Sequence, residues 1–258
     1  MRDLSWLTRR PVAHRGLHDA ARGVIENCPS AVRAAIAEGF AIEVDVQRSS
    51  DGEAMVFHDA TLDRLTLAQG PVAALNQRDL ADIPFRQGAD RMMRLPDLLA
   101  LVAGRVPLIV EIKSDFTGDV RLATRTAQLL AAYAGPAALM SFDPALLVHA
   151  RAIAPQVRRG IVAERDYSSS DWSNLTPARR LILANLLHWP WSRYDFMAYC
   201  VRDLPAPAPT FWRRCGCPLL TWTVRSAEML AHGRRHADQV IFEGIDPTLE
   251  NEAPDRAS

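Results

Sequence analysis

The segment AIEVDVQ, Ala41 to Gln47, alternates apolar and polar side chains. On a β-strand that alternation sends Glu43 and Asp45 to one face and Ile42, Val44 and Val46 to the other. Carboxylates flanked by aliphatic residues are costly to bury as bare charges. The segment is therefore either a half-exposed strand with an outward polar stripe, or one wall of a site that neutralises its acids. Its surroundings choose between the two.

Upstream, SAVRAAIAEGF places apolar residues at helical spacing and stops at Gly39. Before it a short apolar run, Pro11 to Ala13, ends in His14-Arg15-Gly16. Downstream, a Ser50-Asp51-Gly52 turn leads into MVFHD, and residues 60–94 then lose regularity around Gly70-Pro71. They are expected to be a small insertion of turns and short helices after the second strand. Regularity returns with helix LPDLLALVAG and strand VPLIVEIK, which repeats the spacing of two polar groups with Glu111 and Lys113. Strands and helices alternate from there to QVIFEG, near Gln239 to Gly244.

About eight β segments can run parallel, with helices between most of them. For 258 residues the expected closure is a single (β/α)8 TIM barrel in the α/β class. An open doubly wound sheet would need a glycine-rich loop after a strand, and no G-x-G-x-x-G occurs. The expected organisation is an N-terminal extension at 1–10, a barrel over 11–249 carrying the 60–94 insertion, and a polar, flexible tail at 250–258.

Composition narrows the function. Zero formal net charge removes the basic bias of a nucleic-acid binder. Cys28, Cys200, Cys215 and Cys217 are too scattered for a disulfide framework. The N-terminus lacks the apolar core of an export signal, and no run is long and apolar enough to span a bilayer. A cytoplasmic protein without stable membrane insertion is expected.

In such a barrel, functional groups gather at the carboxyl ends of strands. His14 and Arg15 end the first strand, His58 ends the MVFH run, and Glu43, Asp45, Glu111 and Lys113 sit on two further strands. That concentration disfavours the outward stripe. Three carboxylates, Glu43, Asp45 and Glu111, suit Ca²⁺ or Mg²⁺ better than zinc. Two histidines offer an acid and a base near neutral pH. Arg15 and Lys113 beside a cation point to an anionic, phosphate-bearing substrate. Gly16 is expected to keep a side chain from crowding the ligand, and His18 to be a bystander.

Three other features are set aside. Cys215-Gly216-Cys217 is read as a glycine stop between helix and strand, and His232 with His236 as an exposed basic helix end. Trp189, Trp191 and Tyr194 suit core packing or a homodimer contact better than a lip for a lipid-like group.

The motifs, taken in order, closely resemble the glycerophosphodiester phosphodiesterases over about residues 11 to 248. They are His14-Arg15-Gly16, Glu26-Asn27, Glu43-Val44-Asp45, Asp51-Gly52 through His58-Asp59, Glu111-Ile112-Lys113 and Trp222-Thr223-Val224. The resemblance implies a TIM barrel that hydrolyses small-molecule glycerophosphodiesters to sn-glycerol 3-phosphate and an alcohol with a divalent cation, Ca²⁺ or Mg²⁺. It implies His14 and His58 as the acid/base pair and Glu43, Asp45 and Glu111 as metal ligands. Arg15 and Lys113 would hold phosphate oxygens and Trp222 would pack against substrate at the mouth. Glu26 and Asn27 would brace the first loop and touch substrate.

The chain departs from the family at Cys28, where threonine is common. It also departs at Ile241 to Pro247, where Thr-Asp usually precedes the proline, which leaves the polar contribution of the last strand open. The nucleophile, water or the glycerol 2-hydroxyl, stays open. The rivals are a lysophospholipase D-like enzyme with a larger apolar substrate and a barrel that binds phosphodiesters without turnover. The short insertion and absent export signal favour small, water-soluble diesters.

Overall fold

The computed structural model describes residues 3–169 and 172–248. The polar tail expected at 250–258 lies outside the described residues.

The first part of the chain forms β1 (Val12–Ala13), α1 (Pro29–Ala37), β2 (Ala41–Arg48) and β3 (Ala54–Val56). Next come α2 (Gln77–Asp82), α3 (Leu95–Val102), β4 (Leu108–Ile112), α4 (Arg121–Ala131) and β5 (Ala137–Ser141). Then follow α5 (Pro144–Ile153), β6 (Arg158–Ala163), α6 (Pro177–Ala184), α7 (Trp189–Ser192) and β7 (Phe196–Cys200). The described fold closes with α8 (Pro207–Arg214), β8 (Leu219–Val224), α9 (Ala227–His236) and β9 (Gln239–Phe242).

All strands but β3 run parallel in one ring, which closes where β1 pairs with both β2 and β9. This is the (β/α)8 barrel that the alternation of strands and helices predicted. β3 stands outside the ring and pairs antiparallel with β2, Val46 opposite Val56. MVFHD is thus a hairpin return rather than a barrel stave, turned at Gly52 with φ +87°.

The period-two pattern sorts each stave. Ile42, Val44 and Val46 join Leu108, Val110 and Ile112 in the core between strands and helices. The other parity faces the barrel axis, where Val12, Ala41, Ile109, Ala138, Phe196, Ala198, Leu220 and Ile241 pack together. Gly160 belongs to this layer, because a Cβ there would sit 2.3 Å from the Phe196 ring. Of the expected N-terminal extension, Ser5–Leu7 form a 3₁₀ turn, and Leu7 joins the interior cluster at 1% exposure.

Residues 60–94 hold short turns and α2 around a separate apolar cluster that includes Met55, Phe57, Leu62, Val72, Leu80 and Phe85. That cluster anchors the base of the β3 return. Trp189 stacks on Trp212 at 4.8 Å, and Tyr194 is buried. With Pro218, these residues line a hollow by the amino ends of β7 and β8. Trp189 and Tyr194 are thus packing residues on the face away from the strand carboxyl ends. Gly216 turns the chain between α8 and β8 with φ +86°, as its reading as a helix stop requires. Among the described residues, no helix is long and apolar enough to cross a membrane.

Candidate active site

The carboxyl ends of the staves converge on a cavity of about 160 Å³ lined by His14, Arg15, Glu43, His58, Glu111, Lys113 and Trp222. Phe142, Thr223 and Arg225 complete much of the wall. A second chamber of about 490 Å³ adjoins it, sharing His58, Glu111, Lys113, Phe142 and Trp222 but not His14.

β2 and β4 build the acidic floor. Asp45 and Glu111 are register partners across the two strands, and Glu43 lies one interior step below Asp45. Glu43 and Asp45 are each 1% exposed and Glu111 7%, which rules out the outward polar stripe. One oxygen from each carboxylate lies within 4.8 Å of the others. Lys113 Nζ is 2.6 Å from both Asp45 Oδ1 and Glu111 Oε1, and Arg15 Nε is 3.2 Å from Asp45 Oδ2. Burial by itself would raise the Asp45 pKa, but Lys113 and Arg15 outweigh it and hold the carboxyl far below the usual range. Glu43 fares differently. Burial, then Asp45 and Glu111, push its pKa well above normal, and its buried Oε1 has no hydrogen-bond partner. An all-oxygen cluster with one orphaned carboxylate oxygen fits a hard divalent cation.

The β1–α1 loop positions Arg15. Arg15 and Gly16 both take left-handed backbone, φ +56° and +78°, conformations that need external support at a non-glycine residue. Support comes from Arg15 N–H donating to Glu43 Oε2 at 3.1 Å and Asn27 N–H donating to the Arg15 carbonyl at 2.9 Å. Gly16 is required on the opposite side from the one expected: a Cβ would meet the Ala31 backbone of α1 at 2.9 Å, not a ligand.

Each histidine is tied to an acid, and each acid to an arginine. His14 Nδ1 is 2.8 Å from Glu243 Oε2, which Arg225 Nη2 also approaches at 2.8 Å. His58 Nδ1 is 2.7 Å from Asp59 Oδ1, and Arg64 donates to both Asp59 oxygens. The bond from His14, against the opposing effect of burial, and that from Arg225 hold Glu243 far below the usual carboxylate pKa. Asp59 is lowered too: burial opposes this, but His58 and Arg64 prevail. Ionised acids can only accept, so each Nδ1 carries the hydrogen and each Nε2 is left for chemistry. His14 Nε2 lies 4.0 Å from Glu43 Oε2. Burial lowers the His14 pKa despite Glu243, which favours neutral imidazole.

His58 reaches the site on the hairpin return. Phe57 N–H donates to the Asp45 carbonyl at 3.0 Å, and Gln47 Nε2 donates to the His58 carbonyl at 2.9 Å. An antiparallel strand thus delivers a side chain to the carboxyl end of a parallel barrel.

Of the residues singled out in sequence, Asp45 lies directly behind the lining, and Glu26 and Asn27 do not line the cavity. Glu26 pairs with Arg15 at 2.7 Å and Arg64 at 2.7 Å. Asn27 Nδ2 donates to Asp45 Oδ2 at 2.9 Å, while its Oδ1 accepts from Asp45 N–H at 3.2 Å. Both act by holding Arg15 and Asp45. Sequence reasoning assigned no role to Glu243, Arg225 or Arg64. Glu243 carried a signal: it follows Ile241, an interior residue of β9, at the same two-residue step that links Ile109 to Glu111.

The model of the glycerophosphoryl diester phosphodiesterase family matches residues 14–242. A glycerophosphodiester phosphodiesterase of Caldanaerobacter subterraneus subsp. tengcongensis is 33% identical over 111 residues. That match takes in 40% of this chain and 44% of the relative, so it spans less than half of the curated protein. A solved phosphodiesterase of Oleispira antarctica, in complex with the product sn-glycerol-3-phosphate, superposes with a TM-score of 0.74 at 18% identity, covering 92% of this chain and 93% of that one. The glycerophosphodiester phosphodiesterase of Thermotoga maritima gives 0.68 at 19% identity, covering 91% and 94%. At such identities the two structures speak for the fold.

Proposed function

The chain belongs to the glycerophosphoryl diester phosphodiesterase family, and from that membership we propose that it hydrolyses glycerophosphodiesters to sn-glycerol 3-phosphate and an alcohol. The observation that carries the reading is the pair of carboxylate-anchored histidines, His14 and His58, on one cavity with Arg15, Lys113 and the acidic floor.

Arg15 and Lys113 supply fixed positive charge for the phosphoryl oxygens, worth most in a site that excludes water. Glu43, Asp45 and Glu111 would hold a divalent cation, Ca²⁺ or Mg²⁺, which when bound adds Lewis-acid stabilisation of those same oxygens. His14, whose burial favours the neutral imidazole, accepts the proton of the attacking hydroxyl: water gives glycerol 3-phosphate directly, whereas the glycerol 2-hydroxyl gives a cyclic phosphate that a water must then open. His58 lines the outer chamber that His14 does not reach, so the alcohol departs on its side and His58 protonates the leaving oxygen. Glu243 and Asp59 fix ring orientation and tautomer as positioning residues. Trp222, with Nε1 donating to the Ala198 carbonyl at 3.0 Å, presents a fixed apolar wall to the substrate.

The test is coupled detection of glycerol 3-phosphate released from several glycerophosphodiesters with Mg²⁺, Ca²⁺ or EDTA. Release that depends on the added cation is expected. No release from any diester under any of these conditions contradicts the reading.

A further inference from the structure

The end of the barrel away from the acidic cavity has a character that the reaction does not use. Leu187, Trp191 and Phe211 are 54%, 49% and 59% exposed. They stand on the turn after α6, on α7 and on α8, the segments that lead into the amino ends of the paired staves β7 and β8. Ile153, 37% exposed, closes α5 just before β6, the next stave in the ring. Single exposed apolar side chains need no explanation, but several on adjoining segments at one end of a fold do. The unit that carries the two exposed rings is braced. Trp189 of α7 stacks on Trp212 of α8, and Phe211 meets Trp212 edge-on at 5.3 Å.

Charge at this end is one-sided. Arg151, Arg158, Arg193 and Arg214 flank the apolar side chains, and Arg9 and Arg10 stand just before β1. None of the six makes an ion pair among the described residues; Arg9, Arg10 and Arg193 donate to neutral oxygens of Ser5, Gly39 and Pro190. The nearby acids are mostly engaged, Asp195 by Arg159 at 3.3 Å and Asp238 by Arg213 at 2.7 Å. Asp3 and Glu38 are left against the six arginines. A chain of zero formal net charge thus has an arginine-rich amino end and gathers its acidic floor at the other.

Aromatic and aliphatic side chains among arginines fit the interface of a bilayer that bears anionic lipids. The rings settle at headgroup level, and the guanidinium groups meet phosphates while their stems lie on the apolar layer. A second copy of the chain fits less well, because a twofold contact would press this basic face against itself. A nucleic acid would engage the arginines but give Leu187 and Ile153 nothing to pack on.

We propose that the amino end of the barrel docks reversibly on an anionic phospholipid surface through Leu187, Trp191, Phe211 and the flanking arginines. The acidic cavity then faces the aqueous phase. The inference is independent of the reaction assigned to that cavity.

The test is sedimentation of the full chain with vesicles of phosphatidylcholine, alone or with roughly one-third phosphatidylglycerol. Binding to the anionic vesicles should be at least ~30-fold tighter and should weaken as salt is raised. Trp191→Ser combined with Phe211→Ser should weaken it by at least ~10-fold. Arg151→Gln combined with Arg214→Gln should weaken binding to the anionic vesicles by roughly 10-fold and leave phosphatidylcholine binding unchanged. Trp191, Phe211 and Arg214 are exposed and Arg151 is half-buried, so the variants should keep the fold, as circular dichroism will show. Absence of binding, equal binding to both vesicles, or binding indifferent to both pairs of substitutions overturns the inference. So does a dimer lost in Trp191→Ser, or capture of double-stranded DNA, in a protein that ignores vesicles.

Discussion

His14 Nδ1 lies 2.8 Å from Glu243 Oε2, a carboxylate 229 residues away in sequence that arrives just past the end of β9. The His14 side chain is 11% exposed there, and Arg225 backs the acid on its other side. His58 repeats the device with Asp59 and Arg64. An imidazole anchored through Nδ1 to an ionised acid keeps one tautomer and one ring orientation, as a catalytic proton acceptor or donor requires.

Glu243→Gln should keep the fold and lose turnover. The amide preserves the shape but removes the negative charge that fixes the His14 tautomer. We expect kcat to drop roughly 10- to 100-fold, with a much smaller change in KM. Glu243→Asp should recover part of the loss. A KM effect with unchanged kcat would place Glu243 in substrate binding instead. Steady-state kinetics of the two variants make the distinction.

Glu43 and Asp45 should behave oppositely although they share a strand face. Asp45 satisfies Lys113, Arg15 and Asn27, so Asp45→Asn leaves two half-buried cations underpaired and should destabilise the cation-free protein by about 2 kcal/mol. Glu43 faces two other acids with an orphaned oxygen, so Glu43→Gln relieves repulsion and should leave the cation-free Tm unchanged or higher. The rise in Tm on adding Mg²⁺ or Ca²⁺ to the wild type should be lost in Glu43→Gln. Thermal scans with EDTA and with each cation test all three statements.

His188 gives a pH dependence remote from the chemistry. It is fully buried, its Nδ1 is 2.9 Å from Ser192 Oγ, and burial holds its pKa down to about 4 against an ordinary value of 6.5. Its folded pKa lies below its unfolded value. As pH falls below 6.5 the unfolded chain therefore takes up a proton that the fold refuses, and stability is lost from there down towards pH 4. Between pH 6.5 and 4.5 this amounts to about 2 kcal/mol. His188→Gln should flatten that part of the stability curve. A wild-type curve level over this window would contradict the assignment.

The barrel and the acidic floor were legible because a period of two needs no tertiary information. AIEVDVQ and VPLIVEIK declare by themselves which side chains share a face. His58 was legible as a residue but not in its route. MVFHD reads like a stave, and only the tight Ser50-Asp51-Gly52 turn hinted at an antiparallel return. Glu243 was passed over because the stretch Ile241 to Pro247 lacks the usual Thr-Asp, although its parity with Ile241 marked it as inward. Arg64 could not be found from spacing, since it reaches Glu26 across 38 residues through the fold of 60–94. Gly16 was found for the wrong reason: the close approach is to Ala31 of α1, a contact that depends on how the helix docks.

The division of labour between the histidines is the centre of the account, and one comparison tests it. His14→Ala and His58→Ala are assayed on an alkyl glycerophosphodiester and on its 4-nitrophenyl counterpart, whose leaving oxygen needs no proton. Both variants should lose at least ~100-fold on the alkyl substrate while remaining folded. On the nitrophenyl substrate, His58→Ala should recover most of its rate and His14→Ala should not. Equal losses for His58→Ala on both substrates, or near-normal turnover in either variant on the alkyl diester, would contradict the assignment of His14 as base and His58 as acid.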